Sequence, residues 1–278
     1  MLRIMTHNVW EMDENSPAWQ EKGLNCSAQV RVLGHLQVYK DTLPDVIGYQ
    51  EMSSLMQKLL IENTSYEFIN GDYTPISYRA DKLELIDSYF EIYPDGIDDY
   101  EGIFNDSKSK SYTIAVFREK KSGRIFAFAN THLWWKTSDI TQKGTHAYQE
   151  YSDEARVFQM SKLIKKAEEF REKYNCFIIV AGDFNTDYNS HVLKLLFENG
   201  YKHAHDIATD NVDDTVGYHY CFPDGYEEFY YDKPFCCAID HILVKGESEC
   251  AVKNFNRYSP EYYLPISDHS PAFIDIEL

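Results

Sequence analysis

An apolar run that ends abruptly in polar residues sets the first limit on the fold: CFIIVAGDFNTD, at positions 176–187. Unbroken apolar runs of this length are typical of strands that are buried on both faces of a sheet. Residues two apart in an extended chain point to the same side of the strand. We therefore expect Asp183 and Asn185 to leave the end of a buried strand together and to point into one cleft.

Strand-like and helix-like segments alternate along the rest of the chain, which predicts an α/β protein. Strands are predicted in the segments LRIMTHNVW, DVIGYQE, PISYR, LELIDSYFEI, YTIAVFRE, RIFAFANTHL, AIDHILV and SPAFIDIEL. Helices are predicted from about Ser27 to Lys40, from about Asp153 to Lys173 and near Ser190 to Asn199. In the first helix the apolar residues at helical spacing are Val30, Leu33 and Leu36.

Nothing in the composition divides the chain or suits it to a nucleic-acid backbone. The 278 residues contain no repeat and no linker rich in Pro, Gly or Ser, so we predict one domain, 1–278. The 45 acidic and 27 basic residues give a formal net charge of −18, spread along the sequence. Because such backbones are bound mainly by Lys and Arg, this charge disfavours long duplex DNA, although nucleic acid is still a possible partner.

The sequence carries no sign of a membrane segment or of disulfide bonds. No segment approaches the roughly 18 apolar residues of a membrane span, so we expect no transmembrane segment. No signal peptide precedes the first predicted strand, and we expect a cytoplasmic protein, or a secreted one whose signal has been removed. The six cysteines lack metal-ligand spacing, which predicts reduced thiols packed as small apolar residues.

Polar residues stand at the ends of the predicted strands, and they carry the candidate chemistry. Any one of them is more often a cap or a turn residue than a catalyst. The residues in question are Asn8, Glu51, His132, Asp183, Asn185, Asp240, Asp268 and His269. Their order along the chain is more informative than any one of them alone.

Six motifs carry a family resemblance: THNVW, IGYQE, NTHLWW, GDFNTD, IDHILV and SDHSPAFIDI. In order and spacing they resemble the endonuclease/exonuclease/phosphatase (DNase I-like) superfamily of metal-dependent phosphoesterases, from residue 6 to the C-terminus. The resemblance implies an α/β (α+β) four-layer sandwich, in which two mixed β-sheets pack face to face with helices outside and the site lies at one end of the sheets. It also implies hydrolysis of a phosphodiester or phosphomonoester by attack of water on phosphorus.

The chemistry of a phosphoester calls for a cation. Hydrolysis of this anion requires charge neutralisation, an activated water and help for the leaving oxygen. Mg²⁺ binds carboxylates together with water and phosphate oxygens. The resemblance implies Mg²⁺ or Mn²⁺ as the cofactor, with Glu51 as metal ligand, Asn8 beside it, and Asp268 as a direct ligand or one that binds through water. It implies that Asn185 hydrogen-bonds a phosphate oxygen.

The resemblance also implies roles for the histidines and their carboxylate partners. Asp240 would orient His269, and Asp72, upstream of PISYR, would pair with His132. Asp183 would orient or deprotonate the attacking water. An alternative makes His269 the base and His132 the acid, and the sequence leaves both possibilities open.

Two aromatic-rich loops, 134–152 and 215–235, would shape the substrate pocket. Aromatic walls with little positive charge suit a small or neutral group on phosphate, such as a sugar, nucleoside, inositol or lipid head group, so we expect a small phosphorylated substrate. For Trp134 and Trp135 we expect either one indole packed inward and the other in the cleft, or both packed under the first loop. His203 and His205 are interpreted as polar loop residues rather than metal ligands.

Other functions stay open at this point. A DNA or RNA endonuclease and a sphingomyelinase-like phosphodiesterase belong to the same family, but the segment CFPDGYEEFYY is too acidic for a hairpin that enters membrane. A non-catalytic binding protein could keep the fold, although every expected metal and histidine position is filled. Zinc-dependent hydrolysis at His and Cys ligands would show zinc in a metal analysis of the purified protein.

Overall fold

The structure is a computed structural model that describes residues 1–211, 238–246, 250–258, 260–263 and 265–278. The predicted aromatic loop at 215–235 therefore lies outside the described residues. Within them, strands form two mixed sheets, and helices cover the outer faces of both. The cysteines Cys26, Cys176 and Cys250 are buried.

One sheet contains seven strands: β1 (Leu2–Asn8), β2 (Val46–Gln50), β3 (Glu67–Ile69), β4 (Ile76–Tyr78), β10 (Asp210–Asn211), β12 (Ala251–Arg257) and β13 (Ala272–Glu277). Their order in the sheet is β10-β12-β13-β1-β2-β4-β3. The first strand, β1, pairs in parallel with β2 and antiparallel with β13. It therefore lies inside the sheet, where all but one of its residues are buried.

The other sheet contains six strands: β5 (Leu83–Ile92), β6 (Ser111–Glu119), β7 (Ile125–His132), β8 (Phe177–Asp183), β9 (Lys202–His203) and β11 (Asp240–Lys245). Their order in the sheet is β5-β6-β7-β8-β11-β9. Strands β6 and β7 form an antiparallel hairpin. In contrast, β7 and β8 are parallel.

Helices form the outer layers: α1 (Pro17–Glu21), α2 (Ala28–Thr42), α3 (Ser54–Asn63), α4 (Ser152–Tyr174), α5 (His191–Glu198) and α6 (Ala204–Ile207). The seven-stranded sheet packs against α2 and α3, and the six-stranded sheet packs against α4 and α5. Parallel neighbours need a crossover connection, which α4 supplies between β7 and β8. The buried cluster between the sheets takes residues from both, among them Ile4, Phe128 and Ile179. These layers confirm the predicted four-layer sandwich.

The spacing of apolar residues in the sequence predicts the wrong buried face for α2. Val30 and Leu33 are 41% and 67% exposed, whereas Arg31 and His35 are buried. The Arg31 guanidinium donates to five backbone carbonyls, those of Val9, Trp10, Met12, Cys26 and Ile266. A buried face that is polar and satisfied in this way leaves no apolar period in the sequence. Helix α3 and strand β12 have no counterpart among the predicted elements.

Candidate active site

The register of the six-stranded sheet brings three predicted residues into one row. Opposite Asp183 lie His132 in the β7/β8 ladder and Asp240 in the β8/β11 ladder. Each of the three is the terminal residue of its strand. Because β7 and β8 are parallel and β11 runs the other way, the two C-terminal ends and one N-terminal end meet at the same edge of the sheet.

The seven-stranded sheet supplies Asn8, which ends β1, and Glu51, which follows β2. The Asn8 Nδ2 donates to Oδ2 of Asp183 at 3.0 Å and to Oε1 of Glu51 at 3.2 Å. Its Oδ1 accepts a hydrogen bond from the backbone N–H of Trp10 at 3.0 Å. In this arrangement Asn8 bridges two carboxylates from different sheets.

The chain turns sharply directly after these strands. Glu51 and Asn185 have φ values of 56° and 51°, in the left-handed region. The expectation that Asp183 and Asn185 point together from an extended strand is therefore wrong, since β8 ends at Asp183. Asn185 nevertheless stays at the site, because its N–H donates to Asp183 Oδ1 at 2.9 Å and its Nδ2 donates to the Leu133 carbonyl at 3.0 Å.

Gly182 of the GDFN motif allows β8 to approach β7 closely. Its φ is 149°, and a Cβ at this position would lie 2.0 Å from the carbonyl oxygen of Thr131. No side chain fits at that distance. The glycine therefore permits the register that places Asp183 opposite His132.

His269 forms a buried pair with Asp240. Its Nδ1 lies 2.7 Å from Oδ2 of Asp240, and its Nε2 lies 3.6 Å from Oδ2 of Asp183. Burial alone would lower the pKa of His269, but the carboxylates of Asp240 and Asp183 outweigh it and raise that pKa well above its usual value. The two carboxylates therefore favour the protonated form of His269, whose Nε2 faces Asp183.

His132 has a different partner from the one expected. Its Nε2 lies 2.7 Å from Nζ of Lys110 and 3.5 Å from Oδ2 of Asp183. Burial lowers the pKa of His132 well below its usual value, and the charges of Lys110 and His269 add to the effect. Asp72 is exposed and makes no hydrogen bond or ion pair with His132 in the described part of the chain. The structure therefore does not form the expected Asp72–His132 pair.

Lys110 is a residue that the sequence reasoning missed. It belongs to the stretch SKSK, which looks like a solvated turn, yet its side chain is buried. Its place directly before the predicted strand YTIAVFRE is the one available signal, because that strand is the neighbour of the strand that ends in His132.

The carboxylates of the site fit a hard divalent cation. Two sets of side chains have ligand atoms within 4.8 Å of one another: Glu51 with His132 and Asp183, and Asp183 with Asp240 and His269. The Oδ1 of Asp268 is buried and has no hydrogen-bond partner among the described residues. Such an orphaned oxygen, close to other carboxylates, fits the oxygen-ligand preference of Mg²⁺ or Mn²⁺.

Two of these carboxyl groups hold their protons unusually well. Burial raises the pKa of Asp183 to about 6, against the opposing charge of His269 and with a further rise from Asp240. Burial also raises the pKa of Asp268 to about 7, where His269 opposes the rise and Glu51 adds to it. Crowded carboxylates of this kind are relieved by a nearby positive charge.

A chain of neutral histidines supports the loop that follows β8. The Nε2–H of His203 donates to Nδ1 of His241 at 3.1 Å, and the Nε2–H of His241 donates to the Thr186 carbonyl at 2.9 Å. His203 is 1% exposed and ends strand β9, so its interpretation as a polar loop residue is wrong. Burial lowers the pKa of both histidines, that of His241 to about 4. The neutral pair thereby anchors Thr186, next to Asn185.

Of the two tryptophans after His132, one is packed inward, as the first alternative predicts. Trp134 is fully buried, whereas Trp135 is 39% exposed and packs near His146. Trp135 is thus the indole that the first aromatic loop offers to solvent.

With this geometry established, comparison with known proteins identifies the family. Residues 5–269 match the model of the Endonuclease/Exonuclease/phosphatase family. The chain belongs to this family. Its members are phosphoester hydrolases.

Solved structures share the fold over the whole chain. An endonuclease/exonuclease/phosphatase from Bacteroides vulgatus is 25% identical, with a TM-score of 0.73 and coverage of 100% of this chain and 98% of that one. A mannosyl-6-phosphatase from Bacteroides thetaiotaomicron is 19% identical, with a TM-score of 0.72 and full coverage of both chains. Danio rerio TDP2 in complex with a single-stranded DNA product is 16% identical, with a TM-score of 0.67 and coverage of 100% and 99%.

No curated protein sequence matches the chain. Among the helices that the structure describes, none has the length and apolar character needed to cross a membrane.

Proposed function

We propose that this chain is a divalent-cation-dependent hydrolase that cleaves a small, non-DNA phosphoester by attack of water on phosphorus. Membership of the family supports phosphoester hydrolysis in general. Similar structures differ in the compounds they are named for, since one is a mannosyl-6-phosphatase and another holds a single-stranded DNA product. The substrate class is therefore inferred from the surface of this chain.

The observation that carries the proposal is the position of Asp183 between two histidines. Its Oδ2 lies 3.5 Å from Nε2 of His132 and 3.6 Å from Nε2 of His269. A water bound to this carboxylate would have a base on one side and the phosphoryl group on the other. We therefore assign to Asp183 the proton that the attacking water loses.

His269 is suited to bind or protonate an oxygen of the substrate. Because Asp240 engages Nδ1, the second N–H of the imidazolium points from Nε2 toward the cleft. This N–H would donate to a phosphoryl oxygen or to the leaving oxygen. The alternative, in which His269 is the base, requires it to lose a proton that Asp240 and Asp183 stabilise.

The cation would be held by carboxylates. Glu51 and Asp268 would bind Mg²⁺ or Mn²⁺, which when bound would neutralise charge on the phosphoryl oxygens. Asn8 fixes the carboxylate of Glu51 relative to that of Asp183. Asn185 keeps its backbone N–H on Asp183 and so holds the base in place.

A polar cleft beside Glu51 supports a compact substrate. The cleft has a volume of about 360 Å³, and its lining includes the carboxylates of Glu11, Asp13 and Asp72. It begins at the site, because the backbone N–H of Glu11 donates to Oε2 of Glu51 at 3.1 Å. These carboxylates repel the further phosphates of a nucleic acid and accept hydrogen bonds from hydroxyl groups. They favour a small leaving group that carries hydroxyls.

The proposal is tested with a phosphoester panel of nucleotides, sugar phosphates, inositol phosphates, sphingomyelin and plasmid DNA. At least one small phosphoester should be hydrolysed with Mg²⁺ or Mn²⁺, and EDTA should abolish the activity. Asp183→Asn should lower kcat/KM by about 100-fold or more, because it removes the base. Asp187→Asn, an exposed residue of the same loop, is the control and should match the wild type.

Three outcomes would contradict the proposal. A wild-type protein that hydrolyses none of these compounds would favour a non-catalytic binding protein. Activity that survives EDTA would remove the cation from the proposal, while zinc bound to the purified protein would favour the zinc alternative.

A further inference from the structure

The position of Lys110 is fixed by a buried asparagine. Asn105 accepts a hydrogen bond at Oδ1 from the Lys110 N–H at 2.9 Å, and its Nδ2 donates to the Lys110 carbonyl at 2.9 Å. The same Nδ2 donates to the Tyr93 carbonyl at 2.7 Å. Lys110 is therefore held directly before β6, and its side chain reaches His132 at the end of the neighbouring strand.

The Lys110 ammonium has more donors than acceptors. Lys110 is only 5% exposed, and its Nζ lies 2.7 Å from Nε2 and 3.3 Å from Nδ1 of His132. In the described part of the chain, no other side chain or carbonyl accepts a hydrogen bond from Nζ, and no carboxylate forms an ion pair with it. An ammonium carries three donors, and buried charges are normally paired. Two of its N–H groups therefore lack an acceptor among the residues that the structure describes.

The unsatisfied donors lie beside the groups that would act on phosphorus. Nε2 of His132, the atom that Lys110 contacts, lies 3.5 Å from Oδ2 of Asp183 and 4.0 Å from Oε1 of Glu51. His269 approaches Asp183 from another strand end. A phosphoryl group at this point would thus meet cationic groups from two directions.

We propose that Lys110 is a further catalytic residue, whose ammonium donates one N–H to Nε2 of His132 and another to a non-bridging oxygen of the bound phosphoryl group. The inference rests on the proposed phosphoester hydrolysis at this site. His132 accepts at Nε2, so it is a neutral ring that carries its proton on Nδ1. It positions Lys110 and does not serve as the acid.

In the proposed reaction no proton is transferred from Lys110. The water oxygen forms a bond to phosphorus, and the proton of the water passes to Asp183. The bond from phosphorus to the leaving oxygen breaks with its electron pair on that oxygen, which takes a proton from Nε2 of His269. Lys110 stays charged throughout and stabilises the negative charge on the phosphoryl oxygens.

The test compares Lys110→Met with Lys108→Met. Met has nearly the length of Lys but no charge, and Lys108 is an exposed lysine of the same SKSK stretch. The probe is inorganic phosphate, titrated calorimetrically with and without Mg²⁺. Lys110→Met should weaken the Kd for phosphate by about 10- to 100-fold, since a charge-assisted hydrogen bond is lost. Lys108→Met should bind phosphate as the wild type does.

Stability and turnover separate this role from a structural one. A buried charge destabilises the fold unless it is paired, so Lys110→Met should melt at the same temperature as the wild type or higher. Its kcat/KM for the best phosphoester should fall at the same time, and Lys110→Arg should recover part of both kcat/KM and phosphate affinity. A lower melting temperature with unchanged phosphate affinity would assign Lys110 to structure alone and overturn the inference.

The two proposals can fail separately. If the wild type hydrolyses no phosphoester but binds phosphate, and only Lys110→Met weakens that binding, the proposed function is wrong and the Lys110 site stands. If the wild type is active but Lys110→Met binds phosphate equally well, the Lys110 inference is wrong and the proposed function stands. Absence of phosphate binding to the wild type would also overturn the inference.

Discussion

Glu51 is held at the site in an unusual backbone conformation. Its backbone turns into the left-handed region directly after β2, which directs its carboxylate toward Asn8 and the second sheet. This conformation is uncommon for a residue with a side chain, and it occurs where surrounding contacts hold it in place. Here the Glu11 N–H and the Asn8 amide supply those contacts.

Replacing Glu51 by Gln should reveal the cation. The amide keeps the shape of the side chain and loses its negative charge, so kcat/KM should fall by about 100-fold or more and recover partly at high Mg²⁺ or Mn²⁺. Activity measured against metal concentration checks this expectation. Glu62→Gln on the exposed face of α3 is the control. A metal dependence identical to that of the wild type would exclude Glu51 as a ligand.

Single residues also mark the limit of what the sequence could predict. Asp183 ends β8, Asp240 begins β11 and His269 lies shortly before β13, so their convergence could be expected from strand patterns and the family motifs. Lys110 could not be expected, because its burial depends on Asn105 and on its pairing with the strand that ends in His132. Such pairings between distant segments have no local signal.

At the scale of elements, the neutral histidine pair connects β9 and β11 to the loop that follows β8. Each ring donates a single N–H, that of His203 to His241 and that of His241 to the Thr186 carbonyl. Both rings must therefore stay neutral. Burial depresses their pKa in the folded state. A histidine whose pKa is depressed in the folded state stabilises the fold fully above about pH 6.5, which is its pKa in the unfolded chain. This stabilisation is lost as the pH falls below that value.

His203→Gln should make the fold less sensitive to acid. Glutamine can still donate to Nδ1 of His241, but it does not titrate. Between pH 7 and pH 5 the free energy of unfolding of the variant should fall by about 2 kcal/mol less than that of the wild type. Urea denaturation at both pH values measures the difference, with the exposed His191→Gln as control. Equal losses in wild type and His203→Gln would refute a neutral buried His203.

Elements were predicted well where one face is apolar and poorly where it is not. The apolar runs of β1 and β8 and the periodic α4 agree with the structure. The buried face of α2 could not be found from hydrophobicity, since Arg31 and His35 are buried through hydrogen bonds with distant parts of the chain. The need for glycine at Gly182 could not be predicted from the sequence either, because it arises from the close approach of Thr131 on another strand.

At the scale of the whole molecule, net charge should decide between substrates. The formal net charge of −18 and the carboxylates that line the cleft beside Glu51 should repel duplex DNA. We expect plasmid cleavage to be slow, and at least one small phosphoester to be hydrolysed far more efficiently at equal enzyme. The comparison is made at about 0.15 M salt, where surface attraction is screened. A plasmid kcat/KM that matches every small substrate would disprove the expectation.

The central strand β1 has partners from opposite parts of the sequence. It pairs with β2 on one side, and on the other Leu2 lies opposite Ile276 of β13. Residues 2–8 are synthesised before residues 272–277, so the edge of β1 that pairs with β13 has no partner until the intervening segment has been made. Asn8, at the end of β1, lies within hydrogen-bonding distance of Asp183, which in turn faces His269. A nascent chain that ends before residue 269 would therefore lack part of this arrangement.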